Sequence, residues 1–146
     1  MVEECKLVKY GRITSQGIDY LWPLHIAYKE AIGEDAPGDK YREALIQAMN
    51  AEQIRFYGAW DGETLVGCCS VMIGFSTFNY RPSGVFEDFF ILPEYRHRGI
   101  ARELVRCAFQ ESGVGSMMVG CADCDQAMYE AIGFTTRLGN LMAYDG

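Results

Sequence analysis

The sequence predicts an α+β fold: a mixed, mostly antiparallel sheet of six or seven strands with helices on both faces. Three observations carry this. Apolar residues alternate with polar or small ones along several short segments, as in half-buried strands. Elsewhere they recur at helical spacing, most clearly at Ile100, Ala101, Leu104, Val105, Ala108 and Phe109, with Arg102, Glu103, Arg106 and Gln110 opposite. The segments follow one another as β-α-α-β-β-β-α-β-α-β, which combines a hairpin with helical crossovers.

A first strand is expected over 6–13, with Leu7, Val8 and Tyr10 as its apolar members. Residues 18–32 carry Ile18, Leu21, Trp22, Ile26 and Tyr28 at helical spacing, and Pro23 suits only an early turn. Asp35-Ala36-Pro37-Gly38 breaks the chain, after which Asp39 can cap a second helix with Tyr41, Leu45, Ala48 and Met49 inward. Residues 53–60 and 64–73 form a hairpin about Asp61-Gly62. Strand 85–92 ends at Pro93, the helix from Gly99 follows, and 116–121 reads as a buried strand. A short helix over 126–132 stops at Gly133, and 134–144 is expected to close the sheet as a last strand.

With 146 residues and no internal repeat, low-complexity tract or linker, a single domain over 1–146 is expected. Thirteen Lys and Arg stand against 20 Asp and Glu, a net charge of −7. So acidic a chain repels phosphate backbones and anionic membranes, which argues against nucleic-acid and membrane partners, and it attracts cations. The opening Met1-Val2-Glu3-Glu4-Cys5 has neither the basic start nor the apolar stretch of a targeting signal. The charge-free run 64–80 is broken by Gly67, Gly74, Ser76 and Asn79, too irregular to span a bilayer. Six cysteines follow no staple pattern: Cys68 and Cys69 should face opposite sides of a strand, and Cys121-x-x-Cys124 lacks a second ligand pair for zinc. Reduced thiols, a cytoplasmic location and no metal are the expectation.

The segment Phe89-Phe90-Ile91-Leu92-Pro93-Glu94-Tyr95-Arg96-His97-Arg98-Gly99-Ile100-Ala101 runs strand, turn, helix start. N–H groups at a helix start have no intrahelical acceptor, and with the helix dipole they form an anion site suited to a pyrophosphate. Gly99 permits close backbone approach, and Arg96, Arg98, Arg102 and Arg106 concentrate positive charge here. An ordinary turn with solvated arginines is the alternative on these grounds. Neither Gly-x-x-x-x-Gly-Lys-Ser/Thr nor Gly-x-Gly-x-x-Gly is present.

Arg96-His97-Arg98-Gly99-Ile100-Ala101 fits Gln/Arg-x-x-Gly-x-Gly/Ala, and it resembles the acyl-CoA signature of the GNAT superfamily of N-acetyltransferases. Tyr129-Glu130-Ala131-Ile132-Gly133-Phe134 is similar to that family's Tyr-x-x-x-Gly-Phe element, and the order of elements matches along essentially the whole chain. The resemblance implies a GNAT fold, acetyl-CoA as co-substrate, and a CoA site on matching positions. Phe89, Phe90 and Ile91 would offer strand-edge groups to the pantetheine amides. The N–H groups from His97 through Gly99, Ile100 and Ala101 to Arg102 would hold the pyrophosphate, with Arg96, Arg98 and Arg102 adding charge. Where such enzymes often carry Asn-x-x-Ala, this chain has Ala122-Asp123-Cys124-Asp125. Family habit also points to a homodimer, with exposed strand edges as its physical motive.

Transfer to an amine needs a base for the ammonium, pKa ~10.4, and an acid for the leaving thiolate, pKa ~8.5. Glu87-Asp88 stands on the strand entering the loop, and period two sends its members to opposite faces. Phe86-Glu87-Asp88-Phe89-Phe90 is similar to the diamine and polyamine acetyltransferases, which implies that Glu87 and Asp88 contact a cationic acceptor. Glu87 is the first choice of base and Asp88 the second, with a salt-bridged or edge-exposed structural pair as the alternative. By resemblance Tyr129 is the acid, where spacing alone also permits a packing tyrosine. His97 contributes its N–H, and His25 is expected on a helix face. Trp22, Tyr28, Tyr41, Phe75, Phe78 and Tyr80 are expected mostly in the core, and those on the first two helices and on 74–82 are candidate walls of an acceptor site. The expected function is acetyl transfer to a small cationic primary amine. A catalytically idle acyl-CoA-binding domain and acetylation of a protein N-terminus or lysine remain the alternatives.

Overall fold

The structure is a computed structural model that describes residues 7–146; Cys5 and the predicted strand start at Lys6 lie outside the described residues. Its sheet comprises β1 (Lys9–Ile13), β2 (Ile54–Asp61), β3 (Thr64–Ser76), β4 (Arg81–Ile91) and β5 (Ser116–Met118), in spatial order β1-β2-β3-β4-β5. The first four strands pair antiparallel and β5 joins β4 in parallel. The helices are α1 (Ile18–Ala31), α2 (Asp39–Asn50), α3 (Ile100–Ser112) and α4 (Gln126–Ala131). No helix among the described residues is long and apolar enough to cross a membrane.

Alternation along β3 divides the core. Cys68 lies with Leu21, Leu24, Met49 and Phe56 under α1 and α2, whereas Cys69 and Val71 lie with Phe86, Leu104 and Ala108 under α3. The neighbouring cysteines therefore face opposite sides, as period two requires. Helices cover both faces of the sheet. Gly58 on β2 is needed for the close approach of β1 and β3 residues: a Cβ there would stand 2.6 Å from Leu65 and 2.7 Å from Ile13 side chains.

Several expectations are corrected. Asp39 is the first residue of α2 rather than its cap; Gly38 holds the cap position and makes no side-chain bond. Tyr41 is exposed rather than inward. The β5 strand is three residues long and its ends are exposed, so it is not the buried strand expected over 116–121. Residues 134–144 form no strand, and among the described residues the sheet has five strands instead of six or seven. So short a β5 offers little ladder to extend, and Gly139 at φ +97° interrupts any extended course. Leu138, Leu141, Met142 and Tyr144 stay exposed as a result.

Candidate active site

The site is built around the second half of β4. β5 pairs with β4 only from Ser83 to Val85, so from Phe86 onward β4 has no partner strand on that edge among the described residues. Its other edge is held by β3, but the ladder skips a residue: Ser70 faces Glu87 and Cys68 faces Phe90. The extra residue is Asp88, at φ +50°, a left-handed conformation in a β-bulge.

The bulge overturns the expectation that Glu87 and Asp88 face opposite sides. Phe86 and Phe89 both pack into the α3 side, so the two carboxylates between them share the α1 side. The Ser70 hydroxyl donates to Asp88 Oδ2 at 2.6 Å, and Cys68 Sγ lies 3.7 Å from the Asp88 carbonyl. Neither carboxylate forms an ion pair among the described residues, so the salt-bridged alternative is absent there.

Electrostatics show what else converges on this point. Partial burial, then the neighbouring charge of Asp88, push the Glu87 carboxyl above its usual range, with Lys29 pulling the other way. On α1, burial pushes the Tyr28 phenol up to about 12, with further contributions from Asp88, Tyr129 and Glu87. Tyr28 also packs on Phe90, ring centroids 6.3 Å apart. His25, one turn before Tyr28, is buried with Nδ1 unpartnered. Burial lowers its pKa and Asp88 opposes the shift.

Tyr129 comes from α4, across the free edge. Its ring lies 6.4 Å from Phe89 and 5.9 Å, edge-on, from Phe134. Burial raises its phenol pKa first, and the charges of Asp125 and Cys121 add to this. The hydroxyl therefore keeps its proton at neutral pH.

The loop from Ile91 to α3 is fixed by its arginines and Tyr95. Arg96 Nε donates to the Ile91 carbonyl at 2.9 Å, and its guanidinium lies 5.5 Å from the Phe90 ring. Arg98 lies over the Tyr95 ring at 5.1 Å, and the Tyr95 hydroxyl donates to Asp61 at 2.6 Å. Arg102 bonds the Ala131 carbonyl and so ties α3 to α4. His97 and Gly99 are left-handed, at φ +63° and +81°. Glu103 N–H reaches the Gly99 carbonyl at 3.4 Å, so the N–H groups of Ile100, Ala101 and Arg102 precede the first helical bond. Gly99 makes no side-chain cap, and a Cβ on it would meet nothing within 4 Å. Ile100 and Ile91 are buried beneath this loop.

Of the predicted acceptor walls, Tyr28 reaches the acidic pair. Phe75, Phe78 and Tyr80 do not, because β3 and β4 continue as a hairpin arm to Ser76 and Arg81. Phe75 stands five residues beyond Ser70, roughly 17 Å at strand spacing, and all three rings are exposed rather than in the core. Ser70 was not anticipated. Its signal was a lone hydroxyl within the apolar run Leu65-Val66-Gly67-Cys68-Cys69-Ser70-Val71.

The chain belongs to the GNAT acetyltransferase family: the model of the Acetyltransferase (GNAT) domain matches residues 52–136. No curated protein matches it by sequence. It is similar in structure to a probable acetyltransferase (TM-score 0.77, 23% identity, covering 94% of this chain and 99% of that one). A predicted acetyltransferase from Clostridium acetobutylicum, solved with acetyl-CoA, gives TM-score 0.74 at 12% identity, covering 94% and 96%. An aminoglycoside acetyltransferase from an uncultured soil metagenomic sample, in complex with sisomicin, gives 0.77 at 16%, covering 94% of both. At such identities the likeness is one of fold. The family membership makes this chain an acetyl-CoA-dependent acetyltransferase.

Proposed function

We propose that this protein transfers the acetyl group of acetyl-CoA to the nitrogen of a small cationic primary amine by direct attack. The observation that carries the reading is the bulge at Asp88, which leaves Glu87 and Asp88 on one face, without ion pairs among the described residues, beside the free edge of β4. Two unpaired carboxylates on a chain of net charge −7 favour a cation.

The residues present fit acetyl-CoA. Along the outer edge of β4 beyond Val85, Phe89 and the N–H of Ile91 are the groups placed for the pantetheine amides, since Phe90 pairs with Cys68 of β3 and the Ile91 carbonyl already accepts from Arg96. The N–H groups from His97 to Arg102 meet a pyrophosphate, and the open space before Gly99 accommodates its oxygens. Arg96, Arg98 and Arg102 shape the loop through the contacts above and add positive charge near the phosphates.

Glu87 accepts the ammonium proton, directly or through one water; partial burial and the neighbouring charge of Asp88 raise its carboxyl, in the direction that suits a base. The freed amine nitrogen bonds to the thioester carbonyl carbon and the C–S bond breaks. As that bond breaks the nitrogen gives up its second proton and the Tyr129 hydroxyl gives its own to the departing sulfur, so amide and thiol leave neutral; the proton lost by nitrogen restores the phenol through solvent, and the one on Glu87 passes to water. Thiol release from acetyl-CoA over a panel of cationic, neutral and anionic amines tests this. Aminoglycosides belong in the panel, since one structural neighbour is an aminoglycoside acetyltransferase. Turnover confined to cationic amines is expected; CoA binding without turnover on any of them overturns the reading.

A further inference from the structure

We propose that Ser70 is a positioning residue that fixes Asp88 as the anionic anchor of the acceptor ammonium, leaving Glu87 free to take the proton. The inference rests on the amine-acetyltransferase reading above and deepens it.

Ser70 is completely buried on the α1 side of β3, where the neighbouring strand positions are apolar. A hydroxyl in such a place costs stability unless bonded, and an apolar residue of the same size would serve the core equally well. Its one side-chain bond goes to Asp88 Oδ2 at 2.6 Å, inside the range of about 2.5–2.7 Å typical of a hydroxyl on a charged carboxylate. Asp88 itself stands at φ +50°, which an L residue reaches only at a cost and which Asp tolerates better than most. The bulge and the Ser70 bond together hold one carboxylate in one place. Its Oδ1 accepts no hydrogen bond among the described residues and is left for a ligand.

Glu87 is held differently. It faces Ser70 across the ladder, makes no side-chain hydrogen bond among the described residues, and is the more exposed of the pair. An anchor works by being fixed, whereas a proton acceptor must reach the ammonium and then release the proton to water. The charge of Asp88 also raises the Glu87 carboxyl, so one fixed carboxylate serves both tasks.

The test is a double-mutant cycle on the native chain, with the best cationic amine from the panel, comparing Ser70→Ala, Asp88→Asn and the double variant. In Ser70→Ala the amine KM should rise roughly tenfold, the loss expected when a hydrogen bond to a charged group goes. kcat should change much less, and the CoA Kd should stay at the native value. The double variant should be no worse than Asp88→Asn alone, because Ser70 acts through that carboxylate. A native amine KM in Ser70→Ala, or a loss that adds in full to that of Asp88→Asn, overturns the proposal. Should Ser70→Ala not fold, Asp88→Asn decides alone: an unchanged amine KM sinks the anchor, and a raised one with native CoA Kd supports it. Absence of turnover by the native chain instead overturns the acetyltransferase reading of this site, which none of the variant outcomes does.

Discussion

Gly99→Val isolates the loop that precedes α3. Gly99 sits at φ +81°, and a Cβ there would find no protein atom within 4 Å. The folded protein therefore objects only through the backbone. Holding an L residue left-handed costs about 1–2 kcal/mol, and a β-branched one stands at the upper end. Against a typical stability of about 5–15 kcal/mol the variant should fold, with Tm lower by roughly 4–8 °C. The branched side chain would occupy the open space in front of the N–H groups of Ile100, Ala101 and Arg102. Losing two hydrogen bonds to a phosphate, at about 1.5–3 kcal/mol each, should weaken CoA binding by roughly a hundredfold or more. Calorimetric titration with CoA, beside a thermal melt, reads both quantities. Gly99→Ala carries similar strain with less intrusion and should lose less affinity. A folded Val variant that binds CoA like the native chain refutes the placement of the phosphates.

Tyr129→Phe keeps the packing against Phe89 and Phe134 while deleting the hydroxyl, so kcat should fall roughly 10²-fold with CoA affinity little changed; a native kcat in steady-state kinetics leaves Tyr129 a packing residue. Glu87→Gln should lower kcat/KM most in the pH range where the carboxylate is ionised and the amine is still largely protonated, and native activity across the pH range would place the base elsewhere. Because the charge of Asp88 raises the Glu87 carboxyl, Asp88→Asn should move the acid limb of kcat/KM toward lower pH; a limb that stays in place uncouples the two. His25 has a lowered pKa, so below its ordinary value of 6.5 the unfolded chain binds a proton that the folded chain resists. Denaturant melts should therefore show stability falling as pH drops below that value, and falling less in His25→Gln; parallel pH curves for the two would contradict this.

Much of the fold was legible in local patterns. The 100–112 helix announces itself by its apolar stripe, and the 54–61/64–76 hairpin by alternation about Asp61-Gly62. The strand–turn–helix course from Phe89 to Ala101 was legible because Pro93 and Gly99 mark its turn locally. The bulge was not: nothing in Phe86-Glu87-Asp88-Phe89 distinguishes period two from a skipped residue, and the skip is settled by how β4 pairs with β3. The same applies to Ser70, whose role depends on a partner 18 positions away. Residues 134–144 alternate well enough for a strand, but a strand needs a partner as well as a pattern, and β5 ends at Met118. The hairpin arm misled in the opposite direction. The strands expected over 64–73 and 85–92 leave 74–82 as a connection, yet Gly74 and Pro82 fall inside β3 and β4 at the extended outer part of the arm.

The most direct test of the central claim is mass spectrometry of the products and of the intact protein after incubation with acetyl-CoA and a cationic amine. Direct attack predicts N-acetylated amine appearing one-to-one with free CoA while the protein keeps its native mass. Free CoA without acetylated amine, or an acetyl group that accumulates on the protein before the amine is added, would contradict it.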